Sequence, residues 1–247
     1  MFKPCAVIPV FNHEEPLPAV VAQLRAQGLP CVLVDDASSA SCHAVMQRLA
    51  EASDVHLVCL AHNLGKGGAV TAGLWHAHQL GFSHALQVDA DGQHCLDDVA
   101  RFLAAGQHNP HALICGYPAY DASIPKGRLY GRYLTHVWVW INTLSLSIRD
   151  SMCGFRLYPL QPVVALLNQA KLGQRMDFDP EILVRLHWRG QAMQWLETRV
   201  TYPADGLSHF RLWQDNWLIS RMHARLFFGM LLRLPRLLQQ RRQRGRT

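Results

Sequence analysis

Asp89 and Asp91 stand one residue apart where the apolar run "HALQVD" (84–89) gives way to "ADGQHCLDD", and Gln93 follows two places on. Carboxylates that close repel one another unless a cation or a proton relieves them. On an extended loop the three side chains present oxygen donors on one side. A small set of hard oxygens suits Mg2+ or Mn2+, ions that keep water and share their coordination sphere with phosphates. Beside a diphosphate, such a cation neutralises the charge that builds as the diphosphate departs. The same D-x-D-G letters can also write a simple turn, with glycine supplying the backbone. Position favours the first reading, because Asp35 and Asp36 close another apolar run, "CVLVDD" (31–36). There an aspartate can accept from a base N–H or a ribose hydroxyl, while Ser38, Ser39 or Ser41 caps the helix that follows.

The elements that must carry these residues alternate regularly. Apolar runs at 5–10, 31–36, 55–60, 84–89 and 112–116 alternate with helical spacing at 16–28, 41–52, 66–81 and 97–106. Near-continuous apolar strands between helices predict an α/β fold: a mostly parallel sheet covered on both faces, binding ligands beyond the carboxyl ends of its strands. Pro9 to Asn12, Asp35, Asp36, His62, Asn63 and Asp89 to Gln93 all fall at such ends. "HNLGKGGAVTAG" (62–73) lacks G-x-x-x-x-G-K-[ST], which argues against an ATPase. Its lysine and glycines suit either an anion at a helix start or close packing. Further on, "RLYGRYLTHVWVWINTLSLSIRD" (128–150) reads as an amphipathic helix or, from V-W-V-W, a strand; 151–159 as strand or turn; 178–190 as helix; 194–203 as strand. A long helical pattern starts near Leu212 and runs to about Gln240, interrupted at Pro235.

The net charge of +6 is uneven. Residues 211–247 hold nine arginines against Asp215, which is +8, and the other 210 residues carry 15 basic and 17 acidic side chains. The tail is also rich in Trp, Phe and Leu, which predicts an amphipathic helix lying on an anionic membrane surface; packing against the body or a dimer partner is the alternative. A division into residues 1–210 and 211–247 follows. No nucleic-acid module accompanies the arginines, so nucleic acid is not an expected partner. The oligomeric state is left open. Seven scattered cysteines without a C-x-x-C pair fit buried thiols in a reducing compartment. "MFKPCAVIPVFN" does not read as a signal peptide, and no run of about 20 apolar residues predicts a membrane span, so a cytoplasmic location is expected.

"VIPVFNHEE", "VLVDDASS", "NLGKGGAVTAG", "QVDADGQH", "DSMCGFRLYP" and "FDPEILVRLHWRG" occur in the order found in family 2 glycosyltransferases. The chain most resembles the branch of dolichyl-phosphate mannose synthases and other polyprenyl-phosphate glycosyltransferases, over roughly residues 5–205. That resemblance implies a GT-A fold, a nucleotide-diphosphate sugar donor, a divalent cation, and inversion at the anomeric carbon. It places Pro9, Phe11, Asp35 and Asp36 around the nucleoside, and Asp89, Ala90, Asp91 and Gln93 at the metal–diphosphate site. Phe11 stands where the family often has tyrosine, Glu14 comes one place late, and "DDASSAS" ends in serine where the family carries an acid. The processive signature Q-x-x-R-W is absent, so single transfer rather than chain building is expected.

The reaction so implied needs charge stabilisation for the departing diphosphate, for which Arg128, Arg132 and Arg156 are candidates beside the catalytic Asp91. A hydroxyl acceptor needs a general base, whereas a phosphate acceptor is already anionic. By motif position Asp150 is the first candidate base and Glu181 the second. "YPADGLSHFR" (202–211) resembles the segment that contacts the lipid phosphate, which implies that role for His209 and Arg211, His209 replacing a lysine. The expected acceptor is a polyprenyl phosphate, or a hydroxyl on another lipophilic molecule. A nucleotidyltransferase and a catalytically silent membrane adaptor are the competing classes.

Overall fold

The computed structural model describes residues 1–119, 126–199 and 211–244. Strand β1 (Pro4–Val10) shows why its neighbours read as unbroken apolar runs. Cys5 and Val7 join the core on one face of the sheet, and Ala6, Ile8 and Val10 the core on the other. Both sets are buried because helices cover both faces. β2 (Cys31–Asp35), β3 (Val55–Cys59) and β4 (His84–Gln87) run parallel to β1, with β1 between β2 and β4. β5 (Leu113–Ala119), β6 (Arg156–Pro159) and β7 (Met193–Arg199) complete the order β3-β2-β1-β4-β6-β5-β7. β6 runs against both β4 and β5, and β7 is parallel to β5. The result is the mostly parallel sheet of an α/β protein with one reversed strand.

α1 (Leu17–Ala26), α2 (Ala40–Leu49) and α4 (Val99–His108) pack on one face; α3 (Lys66–Gln79), α6 (Leu160–Leu167) and α7 (Phe178–Trp188) pack on the other. α3 lies unusually close to the sheet: a Cβ at Gly73 would run into Val7 and Val34. Close packing therefore accounts for at least one glycine of "GKGGAVTAG".

The V-W-V-W stretch resolves as helix, within α5 (Lys126–Thr143). Thr135, Val139 and Asn142 are buried at helical spacing, and Tyr133, Leu134, Trp138 and Ile141 face outward. α8 (Leu212–Leu231) and α9 (Leu234–Arg244) form the long C-terminal pattern. The break falls at residues 232–233, and Pro235 sits in the first turn of α9, where its missing N–H costs least. Ile219, Met222, Leu226, Met230 and Leu237 recur every three to seven residues and enter the same core as α3 and α7. The basic tail therefore packs on the sheet domain through one side while Trp213, Trp217, Phe228 and Leu232 stay exposed on the other. No described helix is long and apolar enough to cross a membrane.

Candidate active site

β4 ends at Gln87, and the chain then leaves the sheet through Val88 and Asp89. Gly92 takes a left-handed conformation (φ 71°), and Asp91 Oδ1 accepts the Gln93 amide at 3.0 Å, so the turn that D-G writes does form. Asp89 does different work. Its Oδ2 lies 2.8 Å from Lys66 Nζ and 3.3 Å from His94 Nε2, whose ring stacks on Phe155 with centroids 5.0 Å apart. Its Oδ1 is buried and has no hydrogen-bond partner among the described residues. Burial alone would raise the Asp89 pKa, but Lys66 and His94 outweigh it and hold the carboxyl well below the ordinary range. Burial likewise opposes the Lys66 ammonium, and Asp89 and Asp179 overcome it, so its pKa stands well above that of a free lysine.

Asp179, in the first turn of α7, is the second partner of Lys66, with Oδ2 3.4 Å from Nζ. Beneath it, Gln87 Nε2 donates to Asp179 Oδ1 at 3.4 Å, and Tyr158 Oη donates to Gln87 Oε1 at 3.2 Å. Arg156 donates to the Asp179 carbonyl (2.8 Å), the Ser151 carbonyl (2.8 Å) and Tyr158 Oη (3.3 Å). A polar column thus runs from the core up to Asp89. Its top fits a hard divalent cation on two observations. A buried carboxylate oxygen lacks a partner, and a Cβ at Gly154 would stand only 3.4 Å from it, so a glycine keeps that oxygen's surroundings open. Asp91 and Gln93, two and four residues further along the chain, bring two more hard-oxygen side chains into the turn that follows.

At the ends of β1 and β2 a second group assembles. Asp36 accepts the amides of Leu64 (2.6 Å) and Gly65 (2.8 Å) with one oxygen each, which fixes the loop that delivers Lys66. Burial nonetheless pushes the Asp36 pKa up, more than those two amides lower it. Asp35 Oδ1 accepts the Ser38 amide at 2.8 Å, and its Oδ2 is 2.7 Å from His43 Nδ1. Asn12, left-handed at φ 56°, accepts the Ser39 amide at 2.7 Å and ties the two loops together. Asp35, His43 and Cys59 bring three ligand-type atoms within 4.8 Å of one another. The 2.7 Å Asp35–His43 separation is that of a hydrogen bond, so these two side chains already satisfy one another.

Residues 5–171 match the family described as Glycosyl transferase family 2. The chain belongs to that family. A UDP-N-acetylglucosamine–dolichyl-phosphate N-acetylglucosaminyltransferase of Methanococcus voltae is 32% identical over 72% of this chain and 77% of its own length. An undecaprenyl-phosphate mannosyltransferase of Micrococcus luteus is 28% identical over 79% of this chain and 82% of its own. A dolichyl-phosphate beta-glucosyltransferase of Trichomonas vaginalis is 27% identical over 72% of this chain, which spans only 59% of that relative. Among solved structures, glucosyl-3-phosphoglycerate synthase from Mycobacterium tuberculosis superposes with TM-score 0.66 at 12% identity, over 93% of this chain and 80% of that one. At that identity the likeness establishes the GT-A fold and no more.

In this family 2 glycosyltransferase the residues expected around the donor gather in two places. Pro9, Phe11, Asp35 and Asp36 lie at the ends of β1 and β2, and Asp89, Ala90, Asp91 and Gln93 follow β4. Three expectations change in light of the geometry. Arg156 is expected at a phosphate, yet its side chain is fully buried and its Nη1 and Nη2 donate to internal oxygens, so it supports Asp179 from below. Glu181 was expected as a second base; it is fully buried and bonded to Arg185 (2.7 Å), Arg225 (2.6 Å) and the Gly173 amide (2.8 Å). Asp150, the first candidate base, is held in a two-point pair with Arg132 (2.9 Å each) and accepts the amides of Met152 (2.8 Å) and Cys153 (2.6 Å). Burial would raise its pKa, but Arg132 and those amides lower it overall, which makes it a weak proton acceptor.

Arg211 caps α8 through its amide, donated to Asp215 Oδ2 at 2.7 Å, and its guanidinium is exposed. Asp215 also pairs with Arg175 at 3.0 Å. His209 and the side chain of Arg128 lie outside the described residues. Two further residues join the site: Lys66, which the sequence offers only as an anion contact or a packing residue, and Asp179, which it does not single out. The "GKGG" at a helix start signalled the first, and "FDPE" offered Asp179 two places from the glutamate that was chosen.

The depressed Asp150 pKa carries a prediction. A carboxyl lowered in the folded state contributes stability above the unfolded carboxylate range, near pH 4, and loses it as pH falls through the folded value. Asp150→Asn should therefore melt below the parent at pH 7, and the gap should close below about pH 4 in a thermal-denaturation series. A gap that stays constant with pH would show that the charge on Asp150 is not what stabilises the loop.

Proposed function

We propose that this chain transfers a single sugar, with inversion, from a nucleotide-diphosphate sugar to a polyprenyl phosphate or another lipophilic acceptor, using Mg2+ or Mn2+. The observation that carries the reading is the unpartnered buried oxygen of Asp89, set beside Lys66 and the Asp91–Gln93 turn. Asp89, Asp91 and Gln93 would hold the ion, which supplies charge neutralisation to the departing diphosphate. Lys66, anchored by Asp36 through the Gly65 amide, adds a fixed positive charge at the same place. Pro9, Phe11 and Asp35 would flank the nucleoside, and Asp36 would act there mainly by shaping the loop.

The acceptor follows from the bases. Asp150 and Glu181 both have their oxygens engaged by arginines and amides. A weakly basic, fully bonded carboxylate is a poor partner for a hydroxyl proton, whereas a lipid phosphate needs none removed. That favours a polyprenyl phosphate, the acceptor class named in the relatives above, with Arg211 and His209 as its expected contacts. The test is the full chain incubated with labelled UDP- and GDP-sugars, Mg2+ or Mn2+, and undecaprenyl or dolichyl phosphate in detergent. A labelled lipid and a released nucleoside diphosphate are expected. Pyrophosphate release would establish the nucleotidyltransferase reading instead, and no product with any donor would favour the silent adaptor.

The site's setting supports a membrane-surface enzyme on the cytoplasmic face. Trp213 is 92% and Leu232 84% exposed, with Trp217 and Phe228 between them on the outer side of α8. Arg221 and Arg236 are exposed in the same helical region, whereas Arg233 turns back over the Trp188 ring. An apolar stripe edged by arginines suits insertion at an anionic interface, each arginine adding about 1 kcal/mol. Seven free cysteines fit a reducing compartment. The double change Trp213→Glu, Trp217→Glu should cut co-sedimentation with phosphatidylglycerol vesicles at least tenfold while leaving the melting temperature within about a degree, because neither ring is packed. Undiminished sedimentation would place the membrane contact elsewhere.

A further inference from the structure

Lys66 meets two carboxylates, the half-buried Asp89 and the buried Asp179. Its Nζ lies 2.8 Å from Asp89 Oδ2 and 3.4 Å from Asp179 Oδ2, and these side chains are 20%, 22% and 8% exposed. The ammonium is not free to wander. Asp36 clamps the amides of Leu64 and Gly65 just before it, and a Cβ at Gly154 would come within 2.9 Å of Nζ on the far side. One of the two acids it holds, Asp89, is the carboxylate with the open oxygen. The other, Asp179, is fixed by Gln87 and sits 3.5 Å from Arg156, so it stays with Lys66. A divalent ion at Asp89 must therefore share that carboxylate with a fixed ammonium, and two cations on one carboxylate repel.

We propose that Lys66 is an internal counter-cation that competes with the divalent metal for Asp89, so that the metal binds tightly only when a nucleoside diphosphate brings enough negative charge for both. The inference rests on the donor and metal reading above and adds an order to it: metal and nucleotide enter as a coupled pair. Coupling of this kind is reciprocal, each ligand raising the affinity of the other by the same factor. Without Lys66, Asp89 keeps only His94 at 3.3 Å among the described residues while Asp179 keeps Gln87 and Arg156, so the Asp89 carboxylate loses its fixed cation and the metal becomes its best partner whether or not nucleotide is present.

Mn2+ binding to the full chain, followed by the electron paramagnetic resonance of free Mn2+, tests this with and without UDP or GDP. The parent should bind Mn2+ weakly alone and at least tenfold more tightly with the nucleotide. Lys66→Met should bind Mn2+ alone at least tenfold more tightly than the parent and lose most of the nucleotide effect. Unchanged or weaker Mn2+ binding by Lys66→Met alone, or a retained nucleotide effect, overturns the inference. A second measurement holds even if the variant is less stable: Mn2+ without nucleotide should raise the melting temperature of Lys66→Met more than that of the parent, and an equal or smaller rise overturns it. A parent that takes up no Mn2+ with either nucleotide fails differently, because it removes the metal reading itself and this inference with it.

Discussion

Asp91→Ala is expected to lower sugar transfer by a factor on the order of 10³, about 4 kcal/mol of transition-state stabilisation, while the protein stays folded. Its contacts allow both halves of that statement. The Asp91 carboxylate accepts a hydrogen bond only from the Gln93 amide among the bonds described, in a turn that Gly92 already shapes by its own conformation. Removing it deletes a hard oxygen donor and one short turn bond, which costs roughly 0.5–1.5 kcal/mol of stability. The same change at Asp89 would confound the two effects, because Asp89 also neutralises Lys66 in a buried setting. Asp91 is thus the cleaner probe of the metal. Transfer and melting temperature measured on one preparation decide the matter. Turnover within a fewfold of the parent would remove the divalent ion from the diphosphate site, whereas lost turnover with a large fall in melting temperature would mean that Asp91 serves the fold.

How much of this could be read beforehand depended on whether a residue's role was local. Strands β1 and β2 are legible because burial on both faces keeps them almost wholly apolar, β3 is half-exposed along most of its length, and Asp35 at the end of β2 and Asp89 two residues past β4 stand out against that background. The site at the strand ends followed from the fold. The reversed β6 is not legible: "RLYP" is too short to show direction, and its pairing with β4 and β5 joins residues 41 to 75 positions apart. Arg156 was misread for the same reason. An arginine near the strand ends reads as a diphosphate contact until the partners that bury it are known, and those are carbonyls contributed by Ser151 and Asp179. Asp179 was passed over because "FDPE" offers two acids on one helical turn. Which of them faces the sheet depends on how α7 rolls against α3, and packing sets that roll. The tail was read correctly as apolar and basic, but the sequence pattern of α8 serves two partners at once. Ile219, Met222 and Leu226 face the core while Trp213, Trp217 and Phe228 face outward.

Glu181→Ala provides the second large effect, and it separates a base from a brace. The side chain is fully buried, with Arg185 Nε 2.7 Å from one oxygen and Arg225 Nη2 2.6 Å from the other, and the Gly173 amide donates to that second oxygen at 2.8 Å. Arg225 belongs to α8 and Glu181 to α7, so this one carboxylate fastens the apolar-faced C-terminal helix to the helix that carries Asp179. Truncation leaves two guanidinium groups and an amide without their acceptor. Breaking a buried pair costs about 3–5 kcal/mol, and here the lower end applies because the arginines are 17% and 45% exposed and water can take part of the load. About 3 kcal/mol in a domain of this size is a fall in melting temperature of roughly 6–12 °C. Below that transition, transfer per folded molecule should stay within about tenfold of the parent, since no reacting atom has lost a proton acceptor. A base would behave in the opposite way, with an unchanged melting temperature and a rate lowered by a factor of about 10²–10⁴ that a small exogenous carboxylate partly restores. Melting and rate read together on the same variant therefore place Glu181 in one role or the other. The geometry places it as the brace between α7 and α8.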